Sequence, residues 1–76
     1  MELRIPKLGM EMTDGTIAEW LVDDGAVVAQ DQPLYLLETD KVTNEVTAPI
    51  AGRLHRIGTQ GESYEVGEHI ADLDPT

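Results

Sequence analysis

Few residues in this chain have both the type and the setting to do chemistry, and Lys41 is first among them. It stands in Glu38-Thr39-Asp40-Lys41-Val42, between the run Leu34-Tyr35-Leu36-Leu37 and the segment Thr43-Asn44-Glu45-Val46-Thr47. A lysine amine on a long flexible stem is a nucleophile once deprotonated, and it can be joined to an acyl group. Taken by itself, a lysine in an acidic turn is an ordinary solvated side chain, because exposed lysines are commonplace. Asp40 and Glu38 read either as surface charge or as part of what a modifying enzyme recognises. Glu45 reads as a strand-surface carboxylate.

The other candidates fall short. His55 and His69 are separated by 14 positions with no cysteine between them, and nothing around either has the spacing of a metal site. Both read as solvated strand histidines. No spacing among the carboxylates singles out an acid and base pair, and no cleft is expected. Trp20 reads as core, and Met10 and Met12 as cover for a loop and the core edge. The expectation is therefore of no catalytic residues and no metal ligands.

The elements that must position Lys41 are legible on either side of it. Both flanks carry β-branched, aromatic and apolar residues, bounded by Pro33 and Pro49, and so read as strands. The link between them is a tight hairpin with Asp40 and Lys41 at its centre. Two-residue hairpins favour Asn-Gly or Asp-Gly, since positive φ is easiest for glycine. A lysine in place of that glycine breaks a local rule at a turn tip, which marks a functional residue.

Elsewhere the chain alternates strand and turn signals. Glu2–Leu8 alternates polar and apolar, with Pro6 placing it at an edge or strand end. A loop with two glycines follows over residues 8–15. Thr16–Val22 is ambiguous: Ile17, Trp20 and Leu21 have helical spacing, while Thr16, Ile17, Trp20 and Val22 favour strands. An internal repeat decides for strand. Gly15–Trp20 aligns with Gly52–Ile57 at an offset of 37, and Gly25, Val28, Leu34 and Leu37 align with Gly61, Tyr64, Ile70 and Leu73 at 36. The second copy has Gly58, Gly61 and Gly67 within ten residues, which a stable helix does not tolerate. Further short strands are expected at Ala26–Ala29, Arg53–Ile57, Ser63–Val66 and Glu68–Leu73. The prediction is all-β, with about eight strands in two matched sets of four, a small sandwich or flattened barrel. Two-fold symmetry between the halves would put the lysine tip and the chain ends at opposite ends of the domain.

Composition agrees with one small domain that folds on apolar packing. The 76 residues include no cysteine and are 41% hydrophobic, so disulfides and thiolate metal sites do not supplement the core. Fifteen acidic residues against five basic ones give a formal charge of −10. That surface repels phosphate backbones and anionic lipid, so nucleic acid and membranes are poor partners, and it suits a basic patch on another protein.

The ordered set Glu38-Thr39-Asp40-Lys41-Val42, Glu45-Val46, Ala48-Pro49 and Gly52 resembles the lipoyl domains of 2-oxo acid dehydrogenase complexes. Pro6-Lys7-Leu8-Gly9-Met10, Glu19-Trp20 and Val66-Gly67-Glu68-His69-Ile70-Ala71 extend the resemblance over nearly all of the chain. It points to the acyltransferase (E2) component of pyruvate-type or acetoin complexes, within the biotinyl/lipoyl attachment family. The resemblance implies a barrel-sandwich hybrid of two four-stranded antiparallel sheets spanning residues 1–76, with 74–76 as a possible start of a linker.

It further implies lipoate held covalently on Lys41 as N6-lipoyllysine, with Asp40 and Val42 as flanking recognition residues and Glu38 as a weaker one. The implied partners are a lipoate ligase or a lipoyl or octanoyl transferase, a thiamine-diphosphate-dependent E1 decarboxylase, the E2 core that acylates coenzyme A, and dihydrolipoyl dehydrogenase (E3). The domain itself would be a non-catalytic, monomeric carrier within a dihydrolipoamide acyltransferase, in a bacterial cytoplasm or a mitochondrial matrix. Two alternatives stand beside it. Biotin carrier domains resemble this pattern but flank their lysine with methionines, where Asp40 and Val42 stand here. An unmodified β-sandwich adaptor is the other. Asn44 departs from the family pattern, which places an apolar residue there. By alternation it shares a face with Val42 and Val46, as a partly buried amide in need of a partner.

Overall fold

The strands are short because turn-forming Asp, Gly and Pro recur before any segment can grow long. The computed structural model of the chain describes residues 1–40 and 42–75. Its elements are β1 (Glu2–Arg4), β2 (Asp14–Trp20), β3 (Val27–Val28), β4 (Pro33–Glu38), β5 (Thr43–Thr47), β6 (Gly52–Arg56), β7 (Ser63–Glu65) and β8 (His69–Asp74). They form two four-stranded sheets, one in the order β1-β8-β6-β3 and the other β5-β4-β2-β7. Every pairing is antiparallel. β8 runs one residue into the 74–76 stretch, with Asp74 opposite Arg53. Between the sheets lie Ile5, Ile17, Trp20, Val28, Leu34, Leu37, Leu54, Ile70 and Leu73, none more than 7% exposed.

The ambiguous segment is strand, and its helical look has a cause. β2 pairs Ile17 with Leu37 but Glu19 with Leu36, so Ala18 is an extra residue in a β-bulge. The bulge lets Ile17 and Trp20, three apart, both face inward, as two residues on one helix face would.

The pseudo-symmetry is present, with its register corrected. β2 pairs Thr16 with Glu38 and Ile17 with Leu37; β6 pairs Arg53 with Asp74 and Leu54 with Leu73. After the bulge, Glu19–Leu36 and Trp20–Tyr35 correspond to His55–Asp72 and Arg56–Ala71. The residue that distinguishes the halves is therefore Ala18, and the mate of Trp20 is Arg56, not Ile57. Loop hydrogen bonds repeat the relation: the Leu21 N–H donates to Leu34 O, and the Ile57 N–H to Ile70 O. Gly25 and Gly61 share positive φ, at 85° and 89°. Gly67, at 89°, has as its mate Asp31, which takes φ 68° although it carries a side chain.

Symmetry mates meet near the axis. The Arg56 guanidinium lies 5.1 Å from the Trp20 ring centroid. From this stack β2 leads back to Thr16 beside Glu38, and β6 to Arg53 beside Asp74. Glu38 and Asp74, the ends of β4 and β8, thus lie on either side of it, along a molecule of 35 × 21 × 18 Å. Lys41 and Thr76 themselves lie outside the described residues.

Candidate functional site

The site is built on the hairpin between β4 and β5. Leu34, Tyr35 and Leu37 fix β4 in the core, and β5 pairs with it from Pro33–Thr47 to Glu38–Thr43. Beyond that last pair, the Thr39 N–H donates to Val42 O at 2.8 Å, and the Thr39 hydroxyl donates to the same oxygen at 3.2 Å. In the sequence only Asp40 and Lys41 lie between these two residues. Asp40 is exposed and Val42 is 54% exposed. Lys41, the residue on which the sequence reading centres, lies outside the described residues.

The backbone penalty expected at the tip falls on Lys41 and so lies outside the described residues. Among the described residues Asp31 alone, glycines aside, takes positive φ. Asn44 and Val46 are half-buried, while Thr43, Glu45 and Thr47 are exposed, so the alternation holds. The Asn44 amide is not stranded: among the described residues no buried side-chain polar atom lacks a partner. It opens onto a groove instead.

That groove corrects the expectation of no cleft. The loop from Leu8 to Thr13 folds against the hairpin, and the two enclose a groove of about 980 Å³. The loop is shaped by Met12. Its sulfur accepts the Leu8 N–H at 3.3 Å, and its own N–H donates to Gly9 O at 3.2 Å. A methyl group at Gly15 would come 3.1 Å from the Met12 Cε and 2.7 Å from Leu37 Cδ1, so only glycine lets the loop lie this close to β4. At the loop's end the Val66 N–H donates to Thr13 O. Met12 is thus turned inward, whereas Met10 is 94% exposed and covers no core. Glu11, Asp14, Glu38 and Asp40 also line the groove, with Thr39, Val42 and Asn44. Among its described lining residues none is basic. The sequence held one signal of this arrangement, a loop carrying Leu8, Met10 and Met12 between glycines.

The histidines are elsewhere. His55 Nε2 lies 2.8 Å from Asp74 Oδ2, and His69 Nε2 lies 2.9 Å from Asp72 Oδ1, all on β6 and β8 of the other sheet. They are paired with carboxylates, more than the simple solvation the sequence suggested. Among the described residues no group of three or more potential ligands is placed to hold a metal ion.

Comparison with known proteins matches this geometry. A family model described as biotin-requiring enzyme covers residues 1–73. The dihydrolipoyllysine-residue succinyltransferase component of the 2-oxoglutarate dehydrogenase complex of Bartonella vinsonii subsp. berkhoffii is 47% identical over 74 residues, 96% of this chain and 18% of that protein. The dihydrolipoyllysine-residue acetyltransferase component of the pyruvate dehydrogenase complex of Mycoplasma capricolum subsp. capricolum is 38% identical over 74 residues, 96% of this chain and 17% of that protein. The chain thus spans less than a fifth of the length of these relatives. Among solved structures, the lipoyl domain of the 2-oxoglutarate dehydrogenase complex from Azotobacter vinelandii superposes with a TM-score of 0.81 at 29% identity, covering 97% of this chain and 95% of that one. With eight strands among the described residues, a hairpin closed between Thr39 and Val42 and these likenesses together, the chain belongs to the biotinyl/lipoyl attachment family, as a lipoyl domain of the kind found in acyltransferase components of 2-oxo acid dehydrogenase complexes.

Proposed function

We propose that this domain carries lipoate in amide linkage on the Nζ of Lys41 and serves as the mobile acyl carrier of a 2-oxo acid dehydrogenase complex. The observation that carries the reading is the closure of the hairpin by Thr39 and Val42, which leaves Asp40-Lys41 as the connecting pair on a rigid β base. The residues suit the group. Asp40 and Val42, the exposed sequence neighbours of Lys41, are open to a modifying enzyme, and the paired strands below fix where those two are presented. Biotin is disfavoured by the absence of methionine on both sides of Lys41.

When bound, the dithiolane supplies a disulfide that is reductively acylated and then gives up its acyl group as a thioester. The chain's own part is to position and release. Its acidic surface, formally −10 before modification and −11 after, favours brief docking on basic surfaces of an E1 decarboxylase, an E2 core and an E3 dihydrolipoyl dehydrogenase. We assign the longer protein to the dihydrolipoamide acyltransferases, with 2-oxoglutarate or pyruvate as the parent complex's substrate class, in a bacterial cytoplasm.

The test is intact mass after co-expression with a lipoate ligase and lipoate, in parallel with a biotin ligase and biotin. The expected result is one lipoyl amide added to the wild type and none to Lys41→Ala. A biotin adduct alone would make the domain a carboxylase carrier, and no adduct under either supply would make it an unmodified adaptor.

A further inference from the structure

Resting on the lipoyl-lysine reading, we propose that the uncharged arm parks in the groove beside its own hairpin, its dithiolane against Leu8, Met10, Met12 and Val42, and that an arm bearing a carboxylate does not. Exposed apolar surface is gathered beside the hairpin. Leu8, Met10 and Val42 are 47%, 94% and 54% exposed, and all three line this one groove, with the half-buried Met12 at its base. Met10 contributes nothing to the core, so a flexible thioether is held in water beside the attachment position. Thioethers are polarisable and adapt to irregular apolar partners.

The groove is within reach of the arm. Both sequence neighbours of the attachment residue, Asp40 and Val42, line the groove. A lysine stem with a lipoyl chain has roughly eleven bonds between Cα and the ring, about 14 Å when extended. That is more than half of the domain's 21 × 18 Å cross-section, so the ring can fold back onto the loop without strain. The groove's volume also lies within the roughly 300–1,000 Å³ of small-molecule sites. It is open to solvent along its length, which makes the parked arm an exchanging state that leaves the hairpin free to visit partners.

The charge of the groove discriminates between arms. Glu11, Asp14, Glu38 and Asp40 line the same groove, with no basic residue among its described lining. A dithiolane or an S-acetyl group meets no penalty there. An S-succinyl group brings a carboxylate towards four others, and like charges repel. The groove therefore shelters the neutral arm and releases the anionic one.

The experiment uses the 76-residue chain labelled with ¹³C at the methionine methyls and ¹⁵N at the amides. It is loaded by a lipoate ligase with ATP and lipoate, and the lipoyl increment is verified by mass first. We expect NOEs from the dithiolane protons to the Met10 and Met12 ε-methyls, and amide shifts on loading across Leu8–Thr13. The surface variant Leu8→Ser/Met10→Ser should lose at least half of the loop's shift change while its strand amides stay in place. The S-acetyl arm should keep the Met12 NOE and the S-succinyl arm lose most of it. Shifts confined to residues 39–43 in a fully loaded sample would overturn the parking, and equal NOEs for the two acyl arms would overturn the charge selection. A sample that gains no lipoyl mass overturns the carrier reading itself and the inference with it.

Discussion

Replacing Trp20 tests whether the base beneath the hairpin is as rigid as the carrier role requires. The indole is 7% exposed, lies 5.1 Å from the Tyr35 ring at 55°, donates from Nε1 to Gly58 O at 3.1 Å, and carries the Arg56 guanidinium over its face. Truncation to alanine removes about 200 Å² of buried surface, worth about 5 kcal/mol at most. Comparable core truncations cost about 3–5 kcal/mol. A domain of this size has a total stability of about 4–11 kcal/mol, so Trp20→Ala should lose a large share of it. Trp20→Phe keeps most of the area and removes the hydrogen bond to Gly58, for an expected loss of about 1–2 kcal/mol. Urea unfolding followed by far-ultraviolet circular dichroism is the assay, because the chain has one tryptophan and fluorescence would vanish with it. A cost below about 1 kcal/mol for the alanine variant would refute the core assignment.

Tyr35 gives a pH dependence. Burial pushes its phenol up to about 12 from the ordinary 10. The unfolded chain then loses this proton first as pH rises, so stability is intact below pH 10 and falls between pH 10 and 12 by about 2–3 kcal/mol. Tyr35→Phe should flatten that part of an alkaline urea-midpoint series, and an unchanged slope would count against the burial argument. Asp31→Gly should raise stability by about 0.5 kcal/mol by relieving the left-handed backbone that its mate Gly67 adopts freely, read as a higher urea midpoint. Gly52→Ala should cost about 1–3 kcal/mol, since its methyl group would meet the Asp74 backbone carbonyl. Gly9→Ala, with nothing within 4 Å, is the neutral control, and both variants are read by the urea midpoint. Lys41→Ala, which should abolish lipoyl loading, is expected to change stability by less than about 0.5 kcal/mol.

The strands and their turns were legible because their signals are local. Leu34–Leu37 and Thr43–Thr47 could be placed from composition and flanking prolines, and the glycines of the second copy settled the first. The register of the repeat was not legible beyond Ile17. Either Arg56 or Ile57 could be matched to Trp20 in sequence, and the apolar match looked better; only the pairing of Glu19 with Leu36 reveals that a bulge absorbs the extra residue. The groove was hidden for a different reason. Leu8–Thr13 and Thr39–Asn44 are distant in the chain, and nothing local says that Gly15 admits the Met12 methyl group close to β4. The carboxylate partners of His55 and His69 were hidden as well, since they depend on cross-strand neighbours that sequence distance conceals for Asp74.

The pairing of β1 with β8 mirrors that of β5 with β4, and the Met1 amino group donates to Leu73 O at 2.8 Å. The second half of the molecule therefore already possesses a hairpin that merely lacks its closing turn. Splicing residue 75 to residue 1 through a short turn and opening the chain in a surface loop would yield a circular permutant with two such turns. Grafting Thr39–Val42 into the new one would make a two-headed carrier, its heads related by the pseudo-two-fold axis.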